Sequence, residues 1–508
     1  MQITFWALVQ EAARERPESV LLADGYGRSL TATAFRDEAE RAAAGLLARR
    51  IGPGDVVSWQ LPTTLEAAVL IGACARLGAV QNPIIPVFRH REVGFIAEQV
   101  RARVLVVPET WRGFGHGDMA RSLGADVLAL DLEGSPGPAI RLPAGDTAAL
   151  PVPLDPPSPG TGECRWIYYS SGMTADPKGA RHTDGSVIAS ANGMVDGLGL
   201  GAGDVYPIAW PFAHIGGVAM LSAVLRAGGT LVLFDAFDPV TTPERMAAHQ
   251  PTILGSATPF FQAYVAAQRR HGDRRLFPAL RACVGGGAAT PETVNREVAG
   301  VLGVPGVVGA WGLTEFPVAS SETPGDPQVG STVGQPSPGV QVRLADGELR
   351  LKGPQCFLGY VDASLDADAF DDAGWFRTGD LGTVDADGRI RIGGRSKDVI
   401  VRNAENVSAL EVEDSLLRHP GIADAAVIGV PDEESGERVC AVVVAAPGHE
   451  ITLTELVEHC RAQGLARYKC PERLRVVGEL PRNPMGKVLK RALQGNMSAR
   501  SRTAESAD

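Results

Sequence analysis

The sequence predicts an α/β fold with more than one core, on three observations. Between residues 56 and 312, short apolar runs alternate with stretches of helical period, the pattern of a largely parallel sheet. From 339 to 392 the pattern turns to short strands punctuated by Asp346-Gly347 and Asp387-Gly388, which reads as hairpins or a small barrel. After Arg395, two helical stretches flank one apolar strand, the mark of a compact α+β unit. A chain of 508 residues also exceeds what one core ordinarily organises.

In the first region the candidate strands are 56–61, 104–107, 167–170, 230–234, 252–255, 282–285 and 306–309. Helical period is clearest at 65–77 and 259–269. The uncharged run 67–75, closed by Arg76, reads as a buried helix. A Pro/Gly-rich stretch, 133–164, is expected to separate two α/β subdomains. In the last unit, helices at 410–418 and 453–463 flank the strand 438–446. Residues 496–508 are polar and are expected to fray. No internal repeat is visible.

Composition excludes several function classes. Hydrophobic residues make up 44% and charged residues 21%, a globular balance that argues against disorder. A net charge of -11 argues against a general nucleic-acid binder, which needs a basic face. No run approaches the roughly 20 apolar residues of a transmembrane helix, and the N-terminus lacks a signal pattern. Seven scattered cysteines without a CxxC pair point to a reduced, cytoplasmic setting and to no zinc site. Only six of the 48 basic residues are lysines: Lys178, Lys352, Lys397, Lys469, Lys487 and Lys490. A compact ammonium is not interchangeable with a guanidinium at a tight site, so each one merits inspection.

The densest signal is YYSSGMTADPKG at 168–179, after a candidate strand and before a helix expected to begin near Asp184. The hydroxyls of Ser170, Ser171 and Thr174, the freedom of Gly172 and the charge of Lys178 suit a polyphosphate. The spacing is not that of a Walker A loop.

Six further motifs follow, so that with the loop they span 168–487: PFAH (211–214), GGAA (286–289), GAWGLTE (309–315), WFRTGD (375–380), GRSKD (394–398) and LPRNPMGK (480–487). With these in this order, the chain resembles the adenylate-forming enzymes, which include acyl-CoA synthetases, peptide-synthetase adenylation domains and luciferases. Their phosphate loop is matched with two departures, Met173 for Thr and Ala175 for Gly. The resemblance implies a large N-terminal AMP-binding domain (1–394) of two α/β subdomains and a small β-barrel-like one. It implies a hinge (395–397), a small mobile C-terminal domain (398–495) and a tail (496–508).

It also implies roles. Glu315 would bind Mg²⁺, and Thr314 would offer a hydroxyl to the α-phosphate of ATP. Trp311, where the family commonly has Tyr, would stack on adenine beside Gly312, with Gly287, Ala288 and Ala289 allowing close approach to the purine. Asp380 would clamp the ribose with Arg395 assisting. Lys487 would bridge the acid's carboxylate and the α-phosphate, and Lys397 would be the pivot. Lys490, Arg491 and Lys352 are read as solvent-facing. VRNAENVS (401–408) resembles the loop along the pantetheine path of coenzyme A, with Asn403, Ala404 and Glu405 as contacts. Ala404 stands where glycine is usual.

His214 sits at the expected mouth of the acyl pocket. Substrate positioning and a purely structural role are both open for it. The pocket lining is read as Ala213, Gly216, Gly217, Gly255, Ala257, Gly309 and Ala310, small residues that predict room for an apolar acyl group. No acidic residue lies within 211–217, which disfavours an amino-acid substrate. The motif variants look most like bacterial ligases for medium-chain, alicyclic or sterol-degradation acids, cyclohexanecarboxylate–CoA ligase being the nearest type. The implied activity is an acid–CoA ligase using ATP, Mg²⁺ and a small carboxylic acid. The alternatives are acyl-AMP transfer to a carrier-protein phosphopantetheine and, from another class, a non-catalytic nucleotide binder. A homodimer stays open.

Overall fold

A computed structural model of the protein describes residues 4–134, 136–153, 163–170, 177–287, 290–403, 405–432, 434–483 and 486–494. The tail expected at 496–508 lies outside them.

The alternation between 56 and 312 builds three sheets. The six-stranded one runs Lys178–His182, Trp166–Ser170, Val80–Pro83, Val56–Trp59, Val104–Pro108 and Val127–Leu130, parallel except at the Lys178–His182 edge. A four-stranded sheet orders Val205–Ile208, Thr230–Leu233, Val20–Asp24 and Ser29–Thr31. A five-stranded sheet orders Ile253–Ser256, Ala282–Gly286, Val307–Trp311, Ser320–Ser321 and Gln335–Pro336. Helix Leu65–Leu77 starts where Thr64 accepts the Ala67 N–H and ends at Gly78, whose φ of 70° only glycine takes readily. It is buried nearly all round, which is why its sequence is apolar on every face. One large core, from Phe5 to Val308, joins these three sheets, and a second, from Val80 to Tyr169, packs helices His90–Gln99 and His116–Ser122 on the six-stranded one.

The region from 339 to 392 follows the hairpin reading. Gln341–Ala345, Glu348–Lys352, Phe376–Val384 and Ile390–Arg395 form an antiparallel meander. Asp346 (φ 54°) and Gly347 (φ 77°) make the first turn, a tight left-handed pair. Among the described residues its two outer strands do not pair with each other, so the meander is an open sheet instead of a closed barrel.

Beyond it, Val399–Arg402, Glu405–Ser408, Ile422–Asp432, Gly436–Ala445 and Arg473–Val476 form the last sheet, with helices Ala409–Leu416 and Leu453–Ala462. Its core, Ile400 to Cys470, is separate from the others. Among the described residues no helix is long and apolar enough to cross a membrane.

Candidate active site

Parallel sheets put ligands at the carboxyl ends of their strands. In the five-stranded sheet the register sets Ser256 beside Gly285, and Gly285 and Gly286 beside Gly309 and Ala310. Gly287 follows with φ 79°. Ser256 holds φ 142°, which L-residues rarely adopt, and its buried hydroxyl has no hydrogen-bond partner among the described residues. Such strain concentrates at working sites.

Past Trp311 the chain turns at Gly312, where a Cβ would lie 2.5 Å from the Val318 nitrogen. That turn delivers Thr314 and Glu315. Glu315 is 9% exposed, and Tyr360 Oη donates to its Oε1 at 2.8 Å. Burial and the Glu315 carboxylate together push the Tyr360 hydroxyl far above its ordinary pKa, so it stays a donor. The Lys178 ammonium lies 5.4 Å from the centroid of the Tyr360 ring. Lys178 is also the cross-strand partner of Ser170. Behind them, His182 donates from Nε2 to the Thr314 carbonyl at 2.8 Å. Burial pushes this histidine down to about 4, so it is neutral. Neither Tyr360 nor His182 belongs to a motif read from the sequence. Their only signal is position, one after Gly359 and one closing the strand after the phosphate loop.

Asp380 and Arg395 come from different motifs and are made neighbours by the meander, where they face each other across two strands. Arg395 Nε meets Asp380 Oδ1 at 2.7 Å, and the Trp311 indole N–H meets Oδ2 at 2.8 Å. Asp380 is 3% exposed, and Thr378 Oγ1 accepts its backbone N–H at 3.0 Å.

Lys487 arrives from the C-terminal unit. Gly486 takes φ 80°, and a Cβ there would lie 3.1 Å from the Ala257 Cβ, so its loop rests on the start of helix Thr258–His271. Asn483 accepts the Lys487 N–H at 2.9 Å. Burial first, then the charges of Arg395 and Lys397, push the Lys487 ammonium down to about 8. Asp380 and Asp398 oppose that shift. Lys397 is lowered in the same way, by burial and by Arg395. Trp311, Asp380, Arg395, Lys397 and Lys487 therefore form one cluster. Lys490 departs from the expectation of solvent exposure: it pairs with the half-buried Glu413 at 2.7 Å, fixing the last helical turn to the helix Ala409–Leu416. Arg491 and Lys352 are exposed as read.

The acyl side differs from its reading. A narrow cleft is bordered by Ile84, Ile85, Phe88, Ala213, His214 and Thr314. His214 both borders it and caps helix Ile215–Ala227, accepting the Gly216 N–H on Nδ1 at 3.2 Å. Burial pushes this histidine to about 4, so it is neutral. Of the small residues, Ala213 borders the cleft, and a Cβ at Gly216 would face His214 and Trp210, each at 3.3 Å. At three others a Cβ would run into the protein itself. A Cβ at Gly217 would lie 2.1 Å from the Phe212 carbonyl oxygen. At Gly255 it would lie 1.9 Å from Tyr206 Oη, and at Gly309 it would lie 2.9 Å from the Thr332 carbonyl oxygen. They are small because the fold leaves no room. Ala257 faces the Lys487 loop, and Ala310 packs on the main core.

Asn403 (φ 49°) and Glu405 lie on the hairpin joining two strands of the C-terminal unit. Among the described residues no hydrogen bond or ion pair links them to Asp380, Arg395 or Lys487. Ser171, Gly172, Met173, Thr174, Ala288, Ala289 and Ala404 lie outside the described residues.

A fold of parallel sheets with a cluster of cations around the buried Asp380 carboxylate suits an AMP-forming acid–thiol ligase. Comparison with known proteins agrees. Residues 9–361 match the model of the AMP-binding enzyme family, and 411–487 match its C-terminal domain. The medium-chain fatty-acid–CoA ligase of Escherichia coli (strain K12) is 32% identical over 97% of this chain and 90% of the relative. The salicyl-AMP ligase / salicyl-S-ArCP synthetase of Mycobacterium tuberculosis (strain ATCC 25618 / H37Rv) is 33% identical over 96% and 90%. The crystal structure of ATP-bound MatB from Rhodopseudomonas palustris superposes with a TM-score of 0.86 at 27% identity, covering 97% of this chain and 99% of that one. The chain belongs to the AMP-binding enzyme family.

Proposed function

We propose that the protein joins an apolar carboxylic acid to coenzyme A through an acyl-AMP intermediate, in the cytoplasm. The observation that carries this reading is the convergence of Asp380, Arg395, Lys397 and Lys487, from two units of the chain, on one site. In the first step a carboxylate oxygen bonds to the α-phosphorus of ATP and the bond to pyrophosphate breaks. Both reactants are anions, so positioning and charge stabilisation supply most of the catalysis.

Lys487 places one ammonium where the two anions meet. Asp380 accepts the ribose hydroxyls with Arg395 assisting, while Gly287 and Gly312 let the backbone approach the nucleotide. Trp311 offers its ring to adenine. Ser170, Lys178 and the loop that follows Ser170 hold the phosphates, and the Thr314 hydroxyl faces the α-phosphate. Glu315, buried and held by Tyr360 at one oxygen, would hold Mg²⁺ together with the substrate's phosphates. When bound, the ion screens the phosphate charge. In the second step the thiol of coenzyme A bonds to the acyl carbon and AMP leaves. Rotation about 395–397 would bring Asn403, Ala404 and Glu405 to the pantetheine arm, so the domain limits 1–394 and 398–495 are part of this reading.

The apolar walls of the cleft, Ile84, Ile85 and Phe88, and the neutral His214 support a medium-chain, alicyclic or sterol-derived acid. The relative that acts on medium-chain fatty acids agrees with that choice. The carrier-protein alternative rests on the salicyl relative.

The test is acid-dependent AMP release with ATP and Mg²⁺, run with coenzyme A and with a phosphopantetheinylated carrier protein. Turnover with coenzyme A should rise from acetate towards octanoate and cyclohexanecarboxylate, each buried methylene contributing about 0.8 kcal/mol. No acid-dependent AMP release with either acceptor would overturn the ligase reading.

A further inference from the structure

Trp311 ends the strand Val307–Trp311, is 8% exposed, and commits its indole N–H to Asp380 Oδ2 at 2.8 Å. The opposite oxygen, Oδ1, is held by Arg395 Nε at 2.7 Å. A ring that only stacked on adenine would need no such hydrogen bond. The terminal torsion of an aspartate is broad and roughly two-fold, so a carboxylate held at one oxygen still swings about the contact. Donors on both oxygens remove that freedom. Each carboxylate oxygen has two acceptor sites, so one site per oxygen remains open after Trp311 and Arg395 have bonded. Two open sites on one fixed carboxylate match two adjacent hydroxyls on a furanose ring. Phe at this position would supply a flat face and no donor.

We propose that Trp311 is a positioning residue for ribose recognition: its indole N–H fixes the Asp380 carboxylate so that both of its oxygens accept from the 2′- and 3′-hydroxyls. The proposal rests on the reading of Asp380 as the ribose contact, and it gives this chain a stricter requirement for both hydroxyls than stacking alone provides.

The experiment compares ATP, 2′-deoxyATP and 3′-deoxyATP by kcat/KM for acid-dependent AMP release. The enzymes are the wild type, Trp311→Phe, Trp311→Leu, Asp380→Asn and the Trp311→Phe/Asp380→Asn double variant. Preference for ATP over each deoxy analogue is a ratio taken within one variant, so it does not depend on the folded fraction. The wild type should prefer ATP. Trp311→Phe should shrink that preference by about tenfold, the scale of one lost hydrogen bond to a charged group. Trp311→Leu should shrink it equally while lowering turnover of all three nucleotides further, because it also loses the ring. In the Asp380→Asn background, Trp311→Phe should leave the ratio unchanged. An equal loss for all three nucleotides in Trp311→Phe, or a full further loss in the Asp380→Asn background, would show that the indole only stacks. A wild type that releases no AMP with any acid would instead defeat the ligase reading. The same ratios would then be taken from calorimetric Kd values for the three nucleotides, with the same two outcomes.

Discussion

The nucleotide side and the acyl side of the cleft are built on opposite principles. On the nucleotide side polar and charged groups hold one another. Arg395 and Trp311 grip the two oxygens of Asp380, Tyr360 holds Glu315, and Lys397 and Lys487 press on Arg395. On the acyl side the cleft has apolar walls and a neutral histidine, and several of its small residues face their own backbone. A buried charge must be paired, so its sequence position advertises a site. A glycine says only that space is short, and not what fills it.

The sharpest way to break the comparison is to remove Lys487, the cation that the C-terminal unit brings towards Asp380 and Arg395. Lys487→Ala should slow acyl-AMP formation by about 10²–10³, the scale of one preorganised charge contact. Thioester formation from supplied acyl-AMP should fall far less. The two half-reactions, measured separately, decide it: equal losses would remove Lys487 from the bridging role and make its loop a docking element.

Next comes a test of the acyl side. Gly255→Ala would push a methyl into Tyr206 Oη, 1.9 Å away. Overpacking of this kind costs about 1–3 kcal/mol, to be read as a lower Tm and denaturant midpoint. Tyr206→Phe in the same background removes the clashing oxygen and should restore part of that loss. If Gly255→Ala keeps full stability and changes acid preference instead, the acyl cavity reaches Tyr206 and the two sides are less distinct than argued.

The same contrast explains what was legible in the sequence. The strands at 104–107, 230–234 and 282–285 appear within a residue or two, because each is a short apolar run that had to be buried on both faces. Asp380 and Arg395 were named together because their motifs recur in order, although nothing local shows that a hairpin makes them cross-strand partners. Tyr360 was invisible: its hydroxyl matters only because chain 45 residues away folds Glu315 against it. At Gly217 and Gly255 the cause of the small side chain was hidden for the complementary reason. The atoms that exclude a side chain there, the Phe212 carbonyl oxygen and Tyr206 Oη, are tertiary facts with no sequence signature.

A smaller effect tests whether the pairing around Glu315 matters to chemistry. Tyr360→Phe removes the one hydroxyl that donates to Oε1 while keeping the ring beneath Lys178. A hydrogen bond to a carboxylate is worth about 1.5–3 kcal/mol, so kcat/KM for ATP should fall about tenfold and the Mg²⁺ concentration for half-maximal rate should rise. Unchanged Mg²⁺ dependence with unchanged rate would make Tyr360 a packing residue.

The mildest perturbation is pH, and it separates the two sides without mutation. Lys487 is held at about 8 by burial and by Arg395 and Lys397, with Asp380 and Asp398 opposing. Its charged form is the useful one, so kcat/KM for acyl-AMP formation should be level below pH 8 and fall as pH rises through it, about tenfold per unit beyond. An ordinary lysine would hold its proton to about 10.4. Bound ATP and the acid's carboxylate bring negative charge to the same ammonium, so the corresponding fall in kcat should move to higher pH. Stability has the opposite sign. The unfolded chain keeps the Lys487 proton to about 10.4 while the folded chain releases it near 8, so the unfolded state binds more protons between those values and Tm should rise across that window. Lys397, lowered for the same reasons, adds in the same direction. On the acyl side, burial holds His214 at about 4, so it contributes no limb near pH 6.5, where a solvated histidine would. Pyrophosphate exchange measured from pH 5 to 10 reads both sides at once. A limb near 6.5 would mean a hydrated, titrating acyl mouth, and a plateau unbroken to pH 10 would mean that Lys487 is not the buried cation on which the first step depends.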